Sequence, residues 1–178
     1  MNNFKSSARW IAETAIMLAL LVALQYITKP LGQFVTGSCV NAILALATLL
    51  AGLHSGLVIA IISPWLAFLL GIAPQPFVVP AIMLGNTVYV VLLHVLADSK
   101  GKNILRQIIA WLVSAVCKFG MLYLTITKFL APLMKNALPE PKLTAIFAMF
   151  SWPQLVTALI GGAVALLIFP PVKKALKK

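Results

Sequence analysis

The chain has 178 residues, 62% of them hydrophobic and only 10% charged, with a mean hydropathy of +1.04. Soluble domains are nearer half apolar and a quarter charged, so this composition excludes a soluble globular protein and marks an integral membrane protein. Fourteen Lys and Arg against three Asp and Glu give a net charge of +11, but the cations fall mostly at the ends of apolar runs, where they set topology and meet anionic lipid rather than nucleic acid.

At roughly 20 residues per span the length allows about six helices, an all-α chain folded as one membrane domain over residues 1–178. The first span is placed at 8–28. Arg9 precedes it, but no small-residue cleavage site follows, so it is expected to be retained rather than removed as a signal peptide. Pro30 ends it, because proline disfavours helical geometry at the preceding Lys29. Within it Ala15, Ala19 and Ala23 recur every four residues and line one helix face. Such a ladder lets a second helix approach closely, either another helix of the same chain or a separate membrane subunit.

The second span, 38–53, carries Asn41 near its start, and Gly52 to Gly56 reads as a very short turn. The third, 57–72, contains Ser63-Pro64-Trp65; its proline removes a backbone hydrogen bond and kinks the helix. Such breaks are tolerated in lipid where protein or a cavity covers the freed carbonyl. A loop at Ala73-Pro-Gln-Pro76 leads to the fourth span, 78–97, with Gly85-Asn86 and Tyr89. Asp98 to Asn103 is the clearest polar loop. The fifth span, 104–129, holds Lys118, and a proline-rich loop from Pro132 to Lys142 follows it. The sixth, 143–169, is divided by Ser151-Trp152-Pro153-Gln154 and followed by a basic tail.

With the N-terminus inside, the inner side collects Lys5, Arg9, Lys100, Lys102, Arg106, Lys173, Lys174, Lys177 and Lys178, against Lys29, Lys128, Lys135 and Lys142 outside. The bias favours cytoplasmic N- and C-termini. The prolines then gather in the outer loops, while the inner turns are tight.

Enzyme signatures fail in turn. No G-x-x-x-x-G-K-[ST] is present, so the chain has no P-loop for ATP. Glu13, Asp98 and Glu140 all sit near span ends and form no metal cluster with His54 or His94. Ser63 and His94 are the nearest pair to an intramembrane Ser–His site, but no nucleophile elbow accompanies them. Cys39 and Cys117 have no metal spacing and read as small apolar fillers. Transport fits better, and with every acid near a span end and none deep in the membrane a carboxylate proton relay is disfavoured.

Polar groups gather in the outer halves of the spans: Asn41, Ser63, Asn86, Tyr89, Lys118, Tyr123 and Gln154, with Trp65 and Trp152 beside them. Asn86 and Tyr89, three apart, share a face. A binding pocket needs this mixture of apolar wall and a few placed polar groups. Lys118 stands about 14 residues, or roughly 20 Å, into its span, and ionisable residues at such depth are functional candidates. The competing roles are hydrogen bonding between helices for Lys118 and Asn86, and interfacial or lipid-facing packing for the two tryptophans.

Six short spans, the Ala15/Ala19/Ala23 ladder, Gly37-Ser-Cys-Val-Asn41-Ala and Pro80-Ala-Ile-Met-Leu-Gly-Asn86 together resemble the S-components, the substrate-binding membrane subunits, of energy-coupling factor (ECF) transporters. The resemblance covers essentially the whole chain. It implies a multi-pass protein of the bacterial cytoplasmic membrane that binds a vitamin or related micronutrient from outside, under the loops joining spans 1–2, 3–4 and 5–6. It further implies pairing with a membrane coupling subunit and two ATP-binding-cassette ATPases, which hydrolyse ATP, so that no cofactor is expected in this chain. The alanine ladder would be the docking motif, and the loaded subunit would topple to release substrate inward. The sequence looks most like the cobalamin-type members, while folate, pantothenate, pyridoxine and hydroxymethylpyrimidine members share the scaffold. A stand-alone facilitator or secondary transporter, and a small membrane assembly subunit, are the other classes open to such a chain.

Overall fold

A computed structural model of the chain describes residues 2–73, 75–98, 103–134 and 138–176. Lys100, Lys102, Lys135, Lys177 and Lys178, and the side chain of Lys5, which carry part of the charge asymmetry, lie outside what is described.

The described residues form helices and no strands: α1 (Asn2–Thr28), α2 (Gln33–Ala51), α3 (Leu53–Leu69), α4 (Val79–Leu96), α5 (Ile104–Leu122), α6 (Ala131–Met134), α7 (Glu140–Met149) and α8 (Trp152–Leu176). A π-helix, Tyr123–Leu130, joins α5 to α6, so these three make one continuous rod, while α7 and α8 together make the last crossing. Five of the resulting segments are long and apolar enough to cross a bilayer. The remaining one, α3, has 17 residues, about 26 Å of helix and the short end of the spanning range.

The helix ends depart from the expected spans for local reasons. The α2–α3 turn is a single residue, Gly52, at φ 91°, a left-handed conformation that glycine adopts without penalty. His54 and Ser55, expected in the turn, are therefore already helical. The last helix does not stop at Phe169: α8 runs through Pro170 and Pro171 to Leu176. Proline's fixed φ is compatible with helix, and Lys173 and Lys174 in the final turn complement the helix dipole. On the fifth segment Thr125 donates its hydroxyl to the carbonyl of Met121 at 2.7 Å. That carbonyl's ordinary α-helical donor is the backbone N–H of the same residue, a competition that accompanies the widening into π-helix.

Helix α2 is the centre of the bundle. Every residue from Asn41 to Thr48 is buried, so this helix has no lipid-facing side over two turns. Ala42, Ala45 and Ala47 keep it slim, and α1, α3, α4 and α8 close around it. Its most extensive partner is α8, where Gly161 lies against the Ser38 carbonyl, Asn41 and the Ala42 backbone with no room for a β-carbon. Gly85 likewise brings α4 against Leu122 of α5. Small residues at crossings are how helices associate in lipid, where burial of apolar surface gives no drive.

In α1 the buried residues Thr14, Leu21, Gln25 and Thr28 define the inner face. Thr14 is pinned to Ser55 of α3 by a 2.7 Å hydroxyl–hydroxyl hydrogen bond. Ala15, Ala19 and Ala23 lie exposed on the opposite side, among Ile11, Ile16, Leu20 and Tyr26.

Candidate functional site

A cavity of about 330 Å³ lies toward the end of the bundle where α1 gives way to α2, remote from the chain termini. Each wall traces to a local feature of the sequence. Pro64 cannot donate to the carbonyl of Ala60, four residues back, and Ser63, Pro64 and Ala67 form the wall contributed by α3. Ile82 and Asn86 come from α4, and Met149 and Phe150 come from the junction of α7 and α8.

That junction is held shut by side-chain amides. Gln33 of α2 and Gln154 of α8 both donate to the Met149 carbonyl, the latter at 3.1 Å. They satisfy one of the carbonyls that a helix end leaves without a partner. At the mouth, Thr36 donates to the Thr28 carbonyl at 2.9 Å and ties α2 to the end of α1.

The floor is a three-helix hydrogen-bonded cluster. Lys118 of α5 is 2% exposed and donates from Nζ to Asn41 Oδ1 at 2.6 Å and to Asn86 Oδ1 at 2.7 Å. The two asparagines, each 1% exposed, belong to α2 and α4. Lysine thus joins three elements far apart in sequence. Its Nζ also lies 5.5 Å from the ring centroid of Tyr89, one turn below Asn86, within cation–π range. Asn41 Nδ2 in turn donates to the Gly37 carbonyl at 2.9 Å. No carboxylate takes part, and charge-assisted hydrogen bonds to neutral amides replace an ion pair.

Of the residues expected in a pocket, Asn41, Ser63, Asn86, Lys118 and Gln154 all line the cavity. Tyr89 supports Lys118 from below without lining it. The structure does not bring Trp65, Trp152 or Tyr123 to the cavity. Trp65 is 45% exposed, because the residue after Pro64 turns about 100° away from the wall that Pro64 forms. Trp152 is 61% exposed and packs on Phe34, with centroids 5.5 Å apart. Tyr123 stands between Phe119 and Lys128.

Gln25, Lys29, Gln33 and Thr36, which also line the cavity, were not among the sequence candidates. For Gln25 the available signal was its spacing from Thr14 and Thr28, which puts the three polar side chains on the face of α1 opposite the alanine ladder. Among the described residues no three His, Cys, Asp or Glu side chains are grouped to hold a metal ion. His94 is exposed in the last turn of α4, while Ser63 is buried in the cavity wall.

Residues 9–173 match the family model described as ECF transporter, substrate-specific component. No curated protein and no solved structure gives a significant match. The matched family consists of substrate-binding transporter subunits rather than enzymes, and its members associate with an ECF module. Nearly the whole chain is covered, including every element that lines the cavity, and the protein belongs to the family of substrate-specific components of ECF transporters.

Proposed function

We propose that this S-component captures a vitamin from outside a bacterial cytoplasmic membrane in the cavity above Lys118. It then delivers the vitamin inward through a membrane coupling subunit driven by two ATP-binding-cassette ATPases. The observation that carries this reading is the Asn41–Lys118–Asn86 cluster at the floor of a cavity walled by apolar residues. Buried polar groups converging on a pocket are what a small-ligand site requires. Cytoplasmic termini, from the positive-inside bias, put the cavity on the outer side.

The exposed ladder of Ala15, Ala19 and Ala23 supports docking of the coupling subunit on α1. The bundle's own helices pack on the other face of α1, which leaves the small-residue face available to an external helix.

The volume bears on which vitamin is carried. About 330 Å³ stands at the lower end of the range for small-ligand pockets and suits a compact vitamin such as pantothenate. Cobalamin or a precursor, the first expectation from the sequence, requires the Met149–Phe150 junction and the Lys29–Gln33 turn to part and widen the cavity.

Uptake into proteoliposomes separates the readings. Transport that needs both an ECF module and ATP supports the S-component reading. Transport by this chain alone supports a facilitator.

A further inference from the structure

The hydrogen-bonding groups left over at the cavity floor define the charge of its ligand. A lysine ammonium has three N–H donors and accepts nothing, so the amide oxygens of Asn41 and Asn86 are the atoms that face it. Both amide NH2 groups consequently point elsewhere. That of Asn41 is engaged with the Gly37 carbonyl and lies 3.4 Å from Thr157 Oγ1. That of Asn86 has no hydrogen-bond partner among the described residues, although the side chain is buried and lines the cavity. Lys118 keeps one N–H beyond the two it spends on the asparagines. The floor therefore offers donors and no free carbonyl from either asparagine.

Charge points the same way. Lys118 at the floor and Lys29 at the mouth line the cavity, and no acidic residue lines it. Glu13 is bonded to Arg9 at 2.7 Å on the surface of α1, Asp98 accepts from the Asn103 backbone, and Glu140 is exposed in the first turn of α7. A buried ammonium whose partners are all neutral is an uncompensated charge, which an anionic ligand in the cavity would compensate.

We infer that the cavity selects a small monocarboxylate. One carboxylate oxygen is received by Lys118 Nζ and the other by Asn86 Nδ2, while Val40, Pro64, Ala67 and Ile82 enclose the apolar remainder. A single ammonium at the floor matches one negative charge, which favours a carboxylate over a dianionic phosphate ester. The inference rests on the vitamin-capture reading and narrows it: pantothenate carries the required single carboxylate, folate carries two, and pyridoxine, hydroxymethylpyrimidine and cobalamin carry none.

The test is calorimetric titration of the purified full chain with ligand pairs that differ only at the charged end. Suitable pairs are pantothenate and panthenol, nicotinate and nicotinamide, and biotin and its amide, with pyridoxine phosphate and pyridoxine as the phosphate arm. One carboxylate is expected to bind at least about 10-fold tighter than its neutral partner, the worth of one charge-assisted hydrogen bond. Lys118→Gln is expected to erase most of that preference, and Lys118→Arg to keep part of it. Should Lys118→Gln not fold, the wild-type pairs decide alone. Tightest binding of a neutral or phosphorylated compound, or a carboxylate preference untouched by a folded Lys118→Gln protein, overturns the inference and leaves vitamin capture standing. Binding of no vitamin, charged or neutral, overturns both.

Discussion

Replacing Lys118 by methionine separates a lysine kept for a ligand from one kept for the fold. Methionine fills a similar volume and adapts to irregular space, but it cannot donate to Asn41 or Asn86. The variant loses two hydrogen bonds from a charged donor, about 3–6 kcal/mol in total at ~1.5–3 kcal/mol each. It also loses the penalty of holding an ammonium out of water, which is itself several kcal/mol. The orphaned amide oxygens border a cavity that water can enter, which limits their cost. The terms nearly cancel, and ligand-free stability should change by less than about 2 kcal/mol in either direction. For a chain of this size that is a shift in Tm of at most about 8 °C. Vitamin affinity should fall about 10-fold or more with the loss of one charge-assisted contact. The assays are a thermal scan of intrinsic tryptophan fluorescence in detergent and a calorimetric titration of the same preparation. A drop in Tm beyond about 15 °C with affinity preserved would show that the lysine holds the bundle rather than the ligand.

Three other substitutions probe other parts of the structure. Gly161→Val places branched carbons against the Ser38 carbonyl and the Ala42 backbone, where α2 cannot yield; a loss of about 1–3 kcal/mol is expected from overpacking, visible as a lowered Tm, and an unchanged Tm contradicts the close α2–α8 crossing. Ala19→Trp projects from the exposed face of α1 and should leave vitamin binding intact while abolishing ATP-driven uptake; undiminished uptake by a folded variant removes the docking role of the ladder. Trp152→Ala should alter vitamin affinity by less than about 3-fold, since the side chain lies outside the cavity against Phe34, and a larger loss in titration would place it at the ligand.

Much of the fold and the centre of the site could be read from the chain because lipid makes polarity expensive. Apolar runs of spanning length gave the helices, and three polar side chains that interrupt them, Asn41, Asn86 and Lys118, are the ones that meet at the floor. What could not be read depended on rotation or on apolar chemistry. Trp65 and Pro64 are neighbours in sequence but face about 100° apart, and only the helix's orientation in the bundle decides which one lines the cavity. Met149 and Phe150 carry no polar signal, so nothing in composition marks them as closing residues. Gln25 and Lys29 sat where the first span was ending and looked like its polar boundary, although Gln25 is buried and both line the cavity. The single-residue turn at Gly52 shifted two helix ends, and the Thr125 hydroxyl accompanies a local widening into π-helix, neither of which hydropathy registers.

Whether the cavity above Lys118 is a vitamin site is decided on the gently extracted, purified chain. Any small molecule that co-purifies would be identified by absorbance and mass spectrometry after denaturing an aliquot, and then titrated back into stripped protein and into Asn86→Ala. The expected outcome is a stoichiometric vitamin, rebound by the stripped wild type and bound about 10-fold or more weakly by Asn86→Ala. A vitamin bound with equal affinity by the folded variant, or no binding of any vitamin by the stripped chain, would contradict it.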